Sequence, residues 1–322
     1  MSQTSAPQPN GDPTLASPAW AAGFQAAGLR PGRVRAGGLE FQYVEAGPAS
    51  GPLALCLHGF PDSPWTYRHL LPALAQAGYR AVAPFMRGFA PTEIPSDGDF
   101  STRSLIRDPN ALHQALGGGS DAVLIAHDWA AFAAYGALAD EPARWRSAVI
   151  GSVPHFQVFG QIAFSYAQIK RSFYFWFFQM AASSELVAAH DLAFIEGLWR
   201  DWSPAYDPAP ELGPAKDCLR DPAHLHAAMG YYRDLFDPAR FGGSAWAAEQ
   251  TAVLGRPVPH RTLYLHGTND GCIALGEDGA VAMRGVLGPG SEVERLEGVG
   301  HFFWVEDPVV INARVLRFLA AG

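Results

Sequence analysis

Short apolar runs alternate with longer amphipathic stretches along most of the chain. The short runs have strand length and lie at 41–45, 53–57, 79–85, 122–126, 147–153, 261–265 and 292–296. The longer stretches have apolar residues at helical spacing and lie at 65–77, 102–116, 129–139, 276–287 and 308–320. Strands that alternate with helices of this length pair in parallel, because each helix crosses over the sheet between two strands. The pattern therefore predicts an α/β fold with a mainly parallel sheet flanked by helices.

The alternation stops after Pro154 and resumes at Arg261. The intervening stretch is rich in aromatic residues and helix formers and contains no run that matches the core strands. One α/β domain is thus predicted to carry a helical insertion. The predicted division is an N-terminal tail at 1–33 with one short helix at 20–27, a core at 34–154 and 251–322, and an inserted helical segment at 155–250.

The composition narrows the classes of protein and partner. Of the 322 residues, 48% are hydrophobic and 17% are charged, which suits a globular domain with a large core. A net charge of −8 without a Lys/Arg cluster argues against nucleic acid and anionic membranes as partners. Three widely spaced cysteines, Cys56, Cys218 and Cys272, form neither a disulfide framework nor a zinc motif. With no secretory signal or apolar run of about 20 residues, a cytoplasmic protein is expected.

An aspartate lies where a predicted buried strand passes into a helix. The strand at 122–126 continues through His127-Asp128-Trp129 into the helix, with alanines on both sides. This layout is typical of a nucleophile elbow, a sharp turn that lifts one side chain above the sheet. A carboxylate at that position can attack an electrophilic carbon and form an ester, and a helix N-terminus favours its ionised form. Asp is also a favoured N-cap residue, so on this pattern alone a purely structural Asp128 is an equal alternative.

Three further segments follow predicted strands and add partners for Asp128. Asp270 follows the strand at 261–265 and His301 follows the strand at 292–296, which gives the chain order nucleophile, acid, base. His58-Gly59-Phe60-Pro61 follows the strand at 53–57. The backbone N–H groups of Phe60 and Trp129 can then form an oxyanion hole, although an ordinary glycine turn is the alternative for this segment.

With these motifs the chain resembles the α/β-hydrolase superfamily, in the branch that contains epoxide hydrolases and haloalkane and haloacetate dehalogenases. The resemblance covers about 38–320 and rests on the His58-Gly59-Phe60-Pro61 segment, the Asp128 elbow and the Gly300-His301 pair. It implies that the segment at 155–250 is a helical cap over the active site. Alanines at 90, 126 and 130 replace usual glycines, but alanine is still small.

The resemblance to epoxide hydrolases implies two cap tyrosines that assist the departing epoxide oxygen. Tyr174 begins a Tyr-x-x-x-aromatic-Gln pattern at 174–179, and Tyr232 lies in the Gly-Tyr-Tyr-Arg segment at 230–233, which lacks the asparagine usual there. Tyr231 is the alternative to Tyr232. A phenol with a pKa of about 10 stays protonated at neutral pH and can therefore donate to that oxygen. Packing within an aromatic helix face is the alternative role for Tyr174.

These residues predict an epoxide hydrolase that forms vicinal diols through an alkyl ester on Asp128, which His301 and Asp270 then hydrolyse with water. No metal or organic cofactor is implied. The expected partner is a small hydrophobic epoxide, with no prediction for the oligomeric state. Five aromatic residues are the candidates for lining an apolar pocket: Trp65, Phe156, Phe173, Trp176 and Phe177.

Two other functions remain open at this point. A dehalogenase could use the same Asp128 and His301, with Trp129 holding the departing halide. The Asn that haloalkane dehalogenases often carry in place of Phe60 is absent, and Arg87 occupies a position shared by both branches, so a structural role is expected for it. A non-catalytic binding protein on a degenerate hydrolase fold is the third alternative, but binding alone would not require all three of Asp128, Asp270 and His301.

Overall fold

The structure is a computed structural model that describes residues 19–321. Its single sheet has eight strands in the order β1-β2-β4-β3-β5-β6-β7-β8. The strands are β1 (Arg30–Ala36), β2 (Leu39–Ala46), β3 (Leu53–Leu57), β4 (Arg80–Pro84), β5 (Ala122–His127), β6 (Trp145–Gly151), β7 (Thr262–Gly267) and β8 (Glu292–Leu296). β1 pairs with β2, and β2 with β4, in antiparallel fashion, whereas all later pairs are parallel. The predicted fold class is confirmed.

Helices cover the sheet and fill the insertion. Before the insertion lie α1 (Ala22–Ala26), α2 (Leu70–Gln76), α3 (Thr102–Ala115) and α4 (Trp129–Asp140). The insertion contains α5 (Phe156–Ile162), α6 (Tyr166–Arg171), α7 (Phe173–Phe177), α8 (Ser183–Trp202), α9 (Ala209–Asp217), α10 (Pro222–Leu235) and α11 (Ser244–Leu254). After it come α12 (Glu277–Arg284), α13 (Phe303–Glu306) and α14 (Pro308–Ala320). Short 3-10 helices span Ala19–Ala21, Pro64–Tyr67 and Pro142–Arg144.

The central strands form because their residues are apolar on both faces. Every residue of β3, β5 and β7 is buried, as expected for strands covered by helices on both sides of a parallel sheet. Parallel strands point the same way, so the segments that follow β3, β5, β7 and β8 emerge at one edge of the sheet. That edge carries the candidate site.

The structure corrects the sequence interpretation at three places. Residues 30–33 belong to β1 and not to a tail, while 1–18 lie outside the described residues. The sequence of β1 gives no strand signal because only Ala36 of this edge strand is buried, and backbone pairing with β2 holds the strand in place. The helix predicted at 65–77 is divided into the Pro64–Tyr67 turn and α2, and α11 extends past position 250 to Leu254.

The insertion contains only helices in the described stretch between β6 and β7. Its longest helix, α8, is interrupted by three residues with left-handed backbone conformation, His190, Asp191 and Leu192. Within residues 19–321, no helix combines the length and the apolar character that crossing a bilayer requires.

Candidate active site

Asp128 lies at the turn between β5 and α4 with φ 53° and ψ −123°, a backbone conformation that is costly for a residue other than glycine. Its buried carboxylate does not cap α4. One carboxylate oxygen, Oδ1, instead accepts a hydrogen bond from the backbone N–H of Phe60 at 2.8 Å. The geometry thus argues against the alternative that Asp128 serves only as a helix cap.

The turn after β3 comes close enough to Asp128 that only glycine fits at position 59. A Cβ atom there would overlap Oδ1 of Asp128 and would lie 2.7 Å from the backbone nitrogen of Trp129. The backbone nitrogens of Phe60 and Trp129 therefore border the same narrow space. This arrangement fits the predicted oxyanion hole, whose donors must surround one oxygen.

His301 lies between two carboxylates. Its Nδ1–H donates to Oδ2 of Asp270 at 2.9 Å, and its Nε2 lies 3.6 Å from Oδ2 of Asp128. The other oxygen of Asp270 accepts from the backbone N–H groups of Cys272 at 2.7 Å and Ile273 at 2.8 Å. With both of its oxygens engaged, Asp270 fixes the orientation of the imidazole.

The two carboxylates determine the charge of His301. Burial alone would lower the pKa of His301, but the charges of Asp270 and Asp128 outweigh it and raise the pKa to about 10. For Asp270, burial acts in the opposite direction and would raise the pKa, but the charge of the neighbouring His301 lowers the pKa of Asp270 below its usual value. His301 is therefore an imidazolium at neutral pH.

The loops that carry Asp270 and His301 are joined by one carbonyl group at the end of α8. The carbonyl of Trp202 accepts from the backbone N–H groups of Gly271 and His301, each at 3.0 Å. Position 271 must be glycine, because a Cβ atom there would overlap the carbonyl oxygen of Asp201. The insertion therefore helps to fix the two core loops that carry Asp270 and His301.

A second set of hydrogen bonds holds the turn that contains His301. The Ser203 hydroxyl donates to Glu306 at 2.6 Å and accepts from the backbone N–H of Phe302 at 3.0 Å. The other oxygen of Glu306 accepts from the backbone N–H of Gly300 at 2.8 Å. A Cβ atom at position 300 would lie 2.6 Å from Cα of Ser203, so this glycine permits the close approach.

The structure brings Tyr174 from α7 and Tyr232 from α10 together, with ring centroids 5.4 Å apart. The Tyr174 hydroxyl lies 3.5 Å from Sγ of Cys272, and the Tyr232 hydroxyl has no partner in good hydrogen-bond geometry among residues 19–321. Burial raises the pKa of both tyrosines well above the usual value, and the charge of Asp128 adds to the effect. Both phenols are therefore protonated and able to donate.

Tyr231 and Tyr232 differ in where their hydroxyls lie. The Tyr231 hydroxyl donates to the backbone carbonyl of Arg87 at 2.6 Å, away from Asp128. Arg87 itself forms a buried two-pronged ion pair with Asp108, which agrees with the structural role expected for it. The geometry thus favours Tyr232 over Tyr231 as the second cap tyrosine.

A cavity of about 20 Å³ lies between the carboxylate and the tyrosines. Its lining consists of Asp128, Trp129, Phe132, Val153, Phe159, Tyr174, Phe175, Tyr232, Phe236, Cys272 and Ile273. A second, larger chamber of about 190 Å³ shares four of these walls, namely Phe132, Phe159, Phe175 and Phe236. The two spaces therefore adjoin each other.

Only two of the five predicted lining residues border these spaces: Phe156 and Trp176 line the larger chamber. The prediction is wrong for the other three. Trp65 packs edge-on against Phe24 of α1 in a different part of the fold. Phe177 stacks on Phe194, and Phe173 is 46% exposed, because these side chains leave α7 on faces turned away from Asp128.

Two residues that the sequence interpretation did not assign contact the site. The side-chain amide of Gln179 donates to the backbone carbonyl of Tyr232 at 2.8 Å, so it ties the segment after α7 to α10. Its place in the Tyr-x-x-x-aromatic-Gln pattern was the available signal. Cys272 lines the cavity two residues after Asp270, and the sequence gives no local signal for that position.

Comparisons with known proteins agree with this geometry. The sequence profile of the alpha/beta hydrolase fold family matches residues 52–308. The chain is 30% identical to epoxide hydrolase A of Mycobacterium tuberculosis over 88% of its own length and 94% of that protein. It is also 30% identical to epoxide hydrolase 3 of Mus musculus, over 89% of the chain and 75% of that protein.

Solved structures show the same architecture. An epoxide hydrolase from Vigna radiata superposes with a TM-score of 0.76 at 25% identity, covering 91% of this chain and 99% of that one. A putative epoxide hydrolase from Klebsiella pneumoniae has a TM-score of 0.77 at 24% identity, covering 90% and 97%. The chain belongs to the α/β-hydrolase fold family. Within that family its relatives are epoxide hydrolases, and the predicted resemblance to this group is confirmed.

Proposed function

We propose that this protein hydrolyses hydrophobic epoxides to vicinal diols through an alkyl ester on Asp128. The observation that carries the proposal is the cavity shared by the Asp128 carboxylate and the hydroxyl-bearing rings of Tyr174 and Tyr232. A nucleophile and two neutral proton donors that border one small space suit the opening of a strained ether. The names of the relatives, epoxide hydrolases at 30% identity, support the same reaction.

In the first step, an oxygen of Asp128 attacks an epoxide carbon and forms the ester bond while the carbon–oxygen bond of the ring breaks. The ring oxygen takes a proton from a tyrosine hydroxyl, which spares the cost of a free alkoxide. The ester has no charge, so one of the two carboxylates that raise the pKa of His301 is lost. The imidazolium proton then becomes available to restore the tyrosine.

In the second step, neutral His301 removes a proton from water, and the hydroxide attacks the ester carbonyl. Asp270 stabilises the imidazolium that forms again, as the 2.9 Å contact to Nδ1 allows. The backbone N–H groups of Phe60 and Trp129 stabilise the oxyanion. Collapse of this intermediate releases the diol and returns Asp128 to its ionised form, so the reaction as proposed needs water as its only second reactant.

The preference for hydrophobic substrates rests on the larger chamber beside the catalytic cavity. Aromatic and aliphatic side chains dominate its walls, including Phe156, Trp176 and Trp246. Burying an apolar substituent there gains about 25 cal/mol per Å² of surface removed from water. An aryl or alkyl group on the epoxide would occupy this chamber while the ring faces Asp128.

Single-turnover hydrolysis in heavy-oxygen water tests the proposal. Because water attacks the ester carbonyl, the first turnover should label Asp128 and leave the diol unlabelled. Direct labelling of the diol in that turnover would contradict the ester mechanism. A parallel panel of aryl and alkyl epoxides, haloalkanes and fluoroacetate should yield diols without halide release, and halide release without diols would contradict the proposed activity.

A further inference from the structure

Three potential metal ligands face one another at the wall of the catalytic cavity, which Asp128 and Cys272 line and behind which His301 is buried. One ligand atom each from Asp128, Cys272 and His301 lies within 4.8 Å of the other two. All three residues are buried, and Nε2 of His301 has no hydrogen-bond partner among residues 19–321. A carboxylate, a thiol and an imidazole on separate loops therefore converge on one point.

We propose that Asp128, Cys272 and His301 bind a zinc ion between them, at the wall of the catalytic cavity. Zinc binds carboxylate oxygen, imidazole nitrogen and thiolate sulfur at about 2.0–2.3 Å in tetrahedral geometry. Such bond lengths place ligand atoms about 3.3–3.7 Å apart. The 3.6 Å between Nε2 of His301 and Oδ2 of Asp128 already meets this requirement.

Cys272 is the residue that makes the cluster selective. A thiol ligand favours thiophilic ions such as zinc over magnesium or calcium, which need several oxygen ligands. Within residues 19–321, the thiol of Cys272 approaches a hydrogen-bonding side chain only at the Tyr174 hydroxyl, 3.5 Å away, so its rotation toward the other ligands breaks no strong bond. The thiol proton and the imidazolium proton would leave to solvent as zinc binds, and a water molecule would complete the four ligands.

A zinc ion at this position would withhold the Asp128 carboxylate and Nε2 of His301 from the reaction. Zinc would then inhibit hydrolysis reversibly, and this consequence alone rests on the proposed function. Zinc binding itself depends only on the three side chains, so it can be measured without any substrate.

Calorimetric titration of the chelator-treated protein with zinc tests the site. We expect the parent to bind one ion per chain. Cys272→Ala should lose more affinity for zinc than the factor of about 10–100 that is typical when a residue outside the ligand set is removed. Cys218→Ala is the matched control, because Cys218 is also buried but lies outside the cavity. Equal affinity in the parent and in Cys272→Ala would overturn the proposal.

Cobalt provides a second readout that does not require the variant to fold. Cobalt bound to the parent should give a near-ultraviolet thiolate-to-metal absorption band, and Cys272→Ser should lose that band. Absence of the band in cobalt-loaded parent protein would overturn the proposal by itself. Zinc binding by a parent protein that hydrolyses no epoxide would support the metal site and contradict only the proposed function.

Discussion

On the core side of the cavity, hydrogen bonds hold the ionisable side chains of Asp128, Asp270 and His301. On the cap side, aromatic packing holds Tyr174 and Tyr232. Asp270 uses both oxygens, and His301 is fixed by Asp270 and by its own backbone. Tyr232 packs its ring against Phe60 and Trp129, with centroids 5.3 Å and 4.9 Å away, while its hydroxyl finds no partner in good hydrogen-bond geometry among the described residues.

The difference matches the charge that each side has to manage. Preorganised hydrogen bonds cost little at the moment of reaction, so they suit groups that lose and regain charge in the proposed cycle. A neutral phenol needs only to be dry and correctly placed, which rings in contact achieve. We therefore expect changes on the core side to affect ester hydrolysis and changes on the cap side to affect ester formation.

The largest expected effect is on the core side, from His301→Gln. Without a base, turnover should fall by at least about 10²–10⁴-fold while Asp128 still attacks the epoxide. Mass spectrometry after incubation with an epoxide should find protein heavier by the mass of the substrate, with the adduct mapped to Asp128. The same variant with Asp128→Asn should gain no mass. An adduct on another residue would remove Asp128 as the nucleophile.

The next effect is on the cap side, from Tyr174→Phe and Tyr232→Phe. Each change removes a hydroxyl and keeps the ring, so ester formation should slow by about 10²–10⁴-fold while ester hydrolysis changes little. Stopped-flow single-turnover kinetics separates the two rates. Opening of epoxides at the parent rate by both variants would refute the cap assignment, and halide release that survives both but fails in Trp129→Phe would favour a dehalogenase.

The core side was largely predictable from the sequence, and the cap side only in part, because the sequence left Tyr231 open as the alternative to Tyr232. Asp128, Asp270 and His301 each follow a strand whose apolar pattern is local, so the shared sheet edge brings them together. The choice of Tyr232 over Tyr231 depends on a distant carbonyl at Arg87, which no local pattern encodes. The aromatic run in α7 likewise gave no sign of which faces turn inward.

A smaller effect should appear in the pH dependence of stability. The pKa of His301 is about 10 in the folded protein and about 6.5 in an unfolded chain. Between these values the folded state binds a proton that the unfolded state releases, so this contribution is complete below about pH 6.5 and is lost as the pH rises toward 10. Urea unfolding measured from pH 7 to 10 should show that the free energy of unfolding falls more in the parent than in His301→Gln. Parallel curves for the two proteins would contradict the ion pairing of His301.

The smallest effect should come from Tyr231→Phe, which separates two neighbouring tyrosines by their partners. The hydroxyl of Tyr231 donates to the Arg87 carbonyl, so its removal should lower the free energy of unfolding by about 0.5–1.5 kcal/mol. The hydroxyl of Tyr232 has no such bond among residues 19–321. Tyr232→Phe should therefore lower the free energy of unfolding less than Tyr231→Phe does, but it should slow ester formation more. Urea unfolding and single-turnover kinetics of both variants test this crossed pattern. Tyr231 and Tyr232 are adjacent on α10, but their hydroxyls lie in different surroundings, so only the removal of one hydroxyl should slow ester formation. If Tyr231→Phe slowed it as much as Tyr232→Phe, the assignment of the catalytic hydroxyl to Tyr232 would fail.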